Sequence, residues 1–238
     1  MSSTPAPTTR PVGGRPPVRH VRTVVVGLPA GAPARLLPEL ASSKLSMRGL
    51  TSGGVLPHFV ARTRRSSKLV DRWQGLTSGG PIGLLDLDGM RRNAAAAAAA
   101  QWLLWQQVVD GTRPAQPFWF FADKHHAEPS RYPLTKAQAE YNAQPRVLAL
   151  AAYNAMPYRP VELPTSALEA FQAGYGTYTN LAWLSAVPAD GLAPAFGGRW
   201  FTTTSERLAD QLAYLKTAND HLMSLHPTVQ LVAVAIAA

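Results

Sequence analysis

Two groups of residues in this 238-residue chain could do chemistry or hold a charged ligand. The first is Asp123-Lys124-His125-His126-Ala127-Glu128, the densest run of titratable side chains. Carboxylates and imidazoles following an apolar segment are the donor types of a hydrolytic metal site, so metal-assisted hydrolysis by Asp123, His125 and His126 is one reading. Their spacing is poor for it. Adjacent histidines point in different directions on a strand, and they lack the i, i+4 separation that puts two imidazoles on one helix face. The other reading is a polar turn or a surface that meets phosphates. His20, His58, His221 and His226 stand alone, and no serine sits in a nucleophile-elbow pattern. No catalytic residue, metal site or cofactor is therefore assigned.

The second group is cationic: Arg10, Arg15, Arg19 and Arg22 near the amino terminus, then Arg62, Arg64, Arg65, Lys68 and Arg72 around Ser66-Ser67. Residues 1–75 hold twelve Lys and Arg against Glu39 and Asp71, a net charge of +10, whereas residues 76–238 are nearly neutral. Charge spread for solubility would not be segregated in this way, and a polyanionic partner accounts for it. Each base that neutralises a phosphate releases counterions, so a handful of such contacts can dominate affinity without any sequence code. Eight of the nine bases are arginine, which suits bidentate phosphate contact. The competing reading is a solvated loop and a solubility arm. No RNA-recognition, zinc-finger or helix-turn-helix signature is present, so sequence-specific readout is not expected.

Composition narrows the class. With 46% hydrophobic and 16% charged residues the chain can build a core. The absence of cysteine excludes disulfides, thiolate metal sites and a cysteine nucleophile. No secretory signal or membrane-spanning apolar run is visible, which leads us to expect no membrane association. The first 22 residues resemble a transit peptide in charge, but prolines at 5, 7, 11, 16 and 17 would break its helix.

The elements that would position these residues follow from patterning. Residues 1–19 read as a flexible extended arm, and residues 20–238 as one globular domain. Val21 to Val26, closed by Gly27, is rich in β-branched residues and reads as a buried strand. Residues 32–85 are broken by Ser, Gly and Pro. Within them Arg48-Gly-Leu-Thr-Ser-Gly-Gly54 recurs as Gln74-Gly-Leu-Thr-Ser-Gly-Gly80, either two similar turns or two backbone nests for phosphates. Met90 to Asp110, with seven alanines, predicts a helix stopped by Gly111, its Trp102, Trp105 and Val109 on one core face. Phe118 to Phe121 reads as a short strand. Thr135 with Gln138, Ser166 with Glu169 and Thr203 with Glu206 have capping-box spacing, predicting helices over about 136–143, about 167–173 and through Leu208, Leu212, Leu215 and Leu222. Arg146 to Asn154 is helix or strand. Val229 to Ile236 reads as a strand that pairs with 21–26. The expected fold is α+β, mainly helical, with a small sheet from the terminal strands.

The Pro-Ala-rich start Met1-Ser-Ser-Thr-Pro-Ala-Pro, the Ala94 to Ala100 run, the basic pI near 10.3 and the mass of 25.6 kDa complete a profile. It resembles the proline-alanine-serine-rich proteins of polymycoviruses, loosely and along the whole chain. That resemblance implies association with double-stranded RNA genomes in place of, or beside, a conventional capsid. It carries over no functional residue, and the folded-looking carboxyl two thirds departs from the family's disordered character. The expectation is a non-catalytic coat-like protein, cytoplasmic or in a virion, that binds nucleic acid (RNA) and self-associates into a homo-oligomer or particle. The alternatives are an RNA-holding subunit of a bacterial ribonucleoprotein effector such as a CRISPR complex, and the small metal-dependent hydrolase.

Overall fold

The computed structural model describes residues 21–63 and 67–237. The expected arm, with Arg10, Arg15 and Arg19, lies outside the described residues, and so do Arg64 and Arg65. The fold is α+β and mainly helical. In chain order it runs β1 (Val21–Leu28), α1 (Leu37–Ser46), β2 (Ser52–Val55), β3 (Phe59–Val60), β4 (Leu76–Thr77) and β5 (Gly79–Pro81). Then come α2 (Leu87–Val108), α3 (Phe118–Ala127), α4 (Leu134–Asn142), α5 (Pro145–Asn154), α6 (Leu168–Gln172) and α7 (Tyr175–Ser185). β6 (Gly191–Ala193), β7 (Phe201–Thr202), α8 (Leu208–Ser224) and β8 (Gln230–Ala237) complete it.

The two terminal strands form the centre of the sheet. β1 and β8 pair antiparallel over their full length, from Val21 opposite Ala237 to Leu28 opposite Gln230. β6 adds parallel to β1, β7 follows β6, and β2 and β5 share the far edge of β8. Both faces are covered, which is why these strands read as continuous apolar runs and not as alternation. On one face Leu37, Ala41 and Leu45 of α1 cover Val24, Val26, Val232 and Val234. On the other, Leu222 of α8, Leu85 and Met90 cover Val25, Leu231 and Ala233.

The repeated Gly-Leu-Thr-Ser-Gly-Gly segments serve this sheet. The first ends in β2, with Ser52 opposite Ile236, and the second in β5, with Gly79 opposite Val232. Each lays its Ser-Gly-Gly along the same edge of β8. A Cβ on Gly79 would lie 2.2 Å from the Leu231 carbonyl oxygen, so the close approach demands glycine. The phosphate-nest reading does not hold for the second copy. Ser78, Gly79 and Gly80 are buried, and the Ser78 N–H donates to Val70 O at 3.0 Å.

Helices α2 to α7 form a second layer with its own core. Asp86 caps α2 by accepting from the Gly89 N–H at 3.1 Å, and Gly111, at φ 70°, follows its end. Trp105 stacks on Phe171 at 5.3 Å, Phe171 on Tyr178 at 4.2 Å, and the Trp102 indole N–H donates to Phe171 O at 3.0 Å. The alanine run leaves room for α7 to pack closely.

Several local expectations are corrected. Phe118 to Phe121 opens α3 and is not a strand: Pro117, at φ −66° and ψ 158°, is its N-cap, and the four rings radiate around a helix. None of the three capping boxes forms. α4 starts two residues early behind Pro133, α6 behind Ala167, and α8 begins only at Leu208, without side-chain caps. Glu169 instead accepts from the Trp119 indole at 2.9 Å and the Leu208 N–H at 3.3 Å. Arg146 to Asn154, left open between helix and strand, is helical, and Pro145 begins this helix, α5.

Candidate nucleic-acid interface

Between β3 and β5 the chain makes an excursion that carries the second cationic group. Its frame is a hairpin in which Val70 pairs with Gly79 and Trp73 with Leu76, while β3 flanks β4 through Phe59 opposite Thr77 and Val60 opposite Leu76. Phe59, Leu69 and Val70 are buried and anchor it, and the Thr77 hydroxyl donates to Val70 O and Gly79 O inside it. Trp73 and Leu76 exchange N–H···O bonds of 2.9 and 2.8 Å around Gln74 and Gly75. Both of those residues have positive φ, 49° and 88°, the type I′ geometry whose twist matches a hairpin. A bond of 3.0 Å from the Ala61 N–H to Gly75 O pins the turn against the end of β3.

Of the predicted cations, Arg62, Lys68 and Arg72 are described on this excursion. Arg62 is exposed, and its position is fixed by bonds from Nε to Leu85 O at 3.0 Å and from its main-chain N–H to Leu84 O at 2.9 Å. Lys68 is exposed beside a cleft of about 860 Å³ that Pro33, Gly83, Pro227 and Gln230 help to line. Arg72 is exposed on the wall of a smaller cleft of about 540 Å³. Arg22 is not brought to them. It stands near the start of β1, opposite Ile236, whereas Lys68 shares its cleft with Gln230, which pairs with the last residue of β1. Six residues of strand separate those ends, about 20 Å at ~3.3 Å per residue.

Trp73, beside Arg72, was absent from the sequence-based site. It is 68% exposed, although a large indole is ordinarily mostly buried. The signal that could have found it is a two-residue turn ending in glycine inside a basic segment. Other basic residues are internal fastenings. Arg91 is 5% exposed, bonded through Nη2 to Asn219 Oδ1 at 2.8 Å and through Nη1 to Asp88 at 3.2 Å, with its guanidinium over Trp183. Arg146 clamps Thr112 and Gln172 under Trp105.

The Asp123 to Glu128 run falls on the last turns of α3 and its C-cap. Asp123 pairs with Arg207 at 2.7 Å, and that guanidinium lies over Trp119. His125 Nδ1 meets Tyr132 O at 2.9 Å. Desolvation, together with the 2.6 Å bond that the Tyr132 hydroxyl donates to Glu140, pushes that hydroxyl up to about 12. Asp123 and His125 thus have separate partners, and among the described residues no three His, Cys, Asp or Glu converge as metal ligands.

Among the described residues no helix is long and apolar enough to cross a membrane. No protein-family model, curated protein or solved structure matches this chain.

Proposed function

We propose that this protein binds RNA through its basic front third and acts as a coat-like, genome-associated structural protein without a catalytic step. The observation that carries the reading is that Arg62, Lys68 and Arg72, all exposed, lie along one hairpin excursion within a segment of net charge +10. Phosphates would be met there and, at the other end of β1, by Arg22 and the residues before it. Two contact zones about one strand length apart suit a partner that runs along the surface, as a nucleic-acid strand does. A coat-like role also requires self-association. Among the exposed apolar side chains, Leu148 lies on α5 and Met156, Tyr158 and Val161 on the loop after it, Tyr158 being 95% exposed.

The test is the salt dependence of RNA binding, followed by anisotropy. Replacing Lys68 and Arg72 by glutamine should weaken binding and lower the slope of log affinity against log salt by roughly 1.4 to 1.8, for two lost phosphate contacts. Removing residues 1–19 should lower it further. An unchanged slope in both variants contradicts the reading. Sedimentation that finds only monomer at high concentration contradicts the self-association.

A further inference from the structure

We propose that Trp73 is a base-stacking platform, so the RNA this surface prefers is single-stranded, with unpaired bases. The inference rests on the RNA-binding reading and narrows its substrate class. Trp73 flanks the two-residue turn: its main chain exchanges two reciprocal bonds with Leu76, and the turn is tied to the end of β3 through Gly75 O. The main chain that carries the indole is therefore already ordered, and only side-chain rotation need be lost when a base settles on it. Trp73 lines the 540 Å³ cleft with Thr63, Arg72, Gln74 and Gly75, a volume within the range of about 300 to 1,000 Å³ typical of small-molecule sites.

The chemistry of that cleft matches a nucleotide. An indole offers a π-face to any base, and the neighbouring Arg72 offers a cation to its phosphate. Proteins that hold single strands without sequence preference combine these same two components, a cationic track and aromatic stacking. A duplex keeps its bases stacked on one another and offers the indole only its backbone. A single exposed indole beside an arginine has no corresponding use on a duplex backbone, which needs charge alone.

The experiment compares Trp73→Ala and Trp73→Phe with the unaltered full chain. It measures binding of an oligouridylate and of an RNA duplex of equal length by anisotropy, at several salt concentrations. Circular dichroism checks folding. Trp73→Ala should weaken oligouridylate binding by about five- to one-hundred-fold, the range for losing one stacked base. Trp73→Phe should restore most of the loss, duplex binding should not change, and the salt slope should stay the same because no charge is removed. Equal weakening on both RNAs, or no effect on either, overturns the stacking proposal while leaving the electrostatic reading intact. Failure of the unaltered protein to bind either RNA overturns both.

Discussion

The buried Arg91 provides a demanding test of how the helical layer joins the sheet. Its guanidinium reaches from α2 to Asn219 on α8, and Asn219 in turn donates to Leu184 O and Leu215 O, both at 2.8 Å. Replacing Asn219 by leucine keeps the branched outline but removes the acceptor and the donors. What remains is Asp88 at 3.2 Å, whose side chain is 63% exposed and so screened by water. The lost charge-assisted bond is worth about 1.5–3 kcal/mol and the orphaned Leu184 carbonyl about 1–2 kcal/mol more, so a loss of roughly 3–5 kcal/mol is expected. Against a total stability of about 5–15 kcal/mol, urea denaturation should show a large fall in midpoint with an unchanged slope. The double variant Arg91→Met with Asn219→Leu should recover much of the loss, because no buried charge is then left without a partner. A single-variant loss below about 1 kcal/mol, or a double variant as unstable as the sum of the singles, would refute this reasoning.

Other expectations follow from individual contacts. Gly79→Ala drives a methyl into Leu231 O and should cost about 1–3 kcal/mol in urea denaturation, whereas Gly53→Ala, whose nearest contact would be 3.4 Å, should cost less. Burial pushes His58 and His221 below the ordinary imidazole value, for His58 against the opposing pull of Val187 O and Asp190. The unfolded chain then binds more protons than the folded one, so stability should be level above about pH 6.5 and fall below it, and His58→Gln should flatten that fall in pH-dependent denaturation. Asp123→Asn breaks an ion pair whose two side chains are half exposed, and should change stability by less than about 1 kcal/mol. His125→Ala with His126→Ala should leave both RNA affinity and the metal content by elemental analysis unchanged.

How much was legible depended on whether the deciding interaction was local. β1 and α2 were readable because their residues favour the observed state in themselves: Val24, Val25 and Val26 are β-branched strand formers, and the seven alanines from Ala94 favour helix. β8 was readable for the same reason, with Val232, Val234 and Ile236 at alternate positions. α3 was misread because four aromatic residues resemble a buried strand, while Pro117 and packing on Tyr141 decide for helix. The capping-box spacings at Thr135, Ser166 and Thr203 were present, but prolines and tertiary contacts set the helix starts. The repeat's role could not be read, since its partner β8 lies at the far end of the chain and only pairing reveals the shared edge. At the candidate site the cations were legible as charge. Their division between a hairpin and the far end of β1 was not, nor was the exposure of Trp73, a residue type that ordinarily signals core.

Whether RNA lies against the excursion around Arg62, Lys68 and Arg72 is tested most directly by ultraviolet cross-linking of the full chain to RNA, followed by mass spectrometric mapping. Adducts are expected on peptides spanning residues 62–76, with Trp73 among the cross-linked positions. Adducts confined to the helical layer, residues 87–185, would contradict RNA binding at this surface.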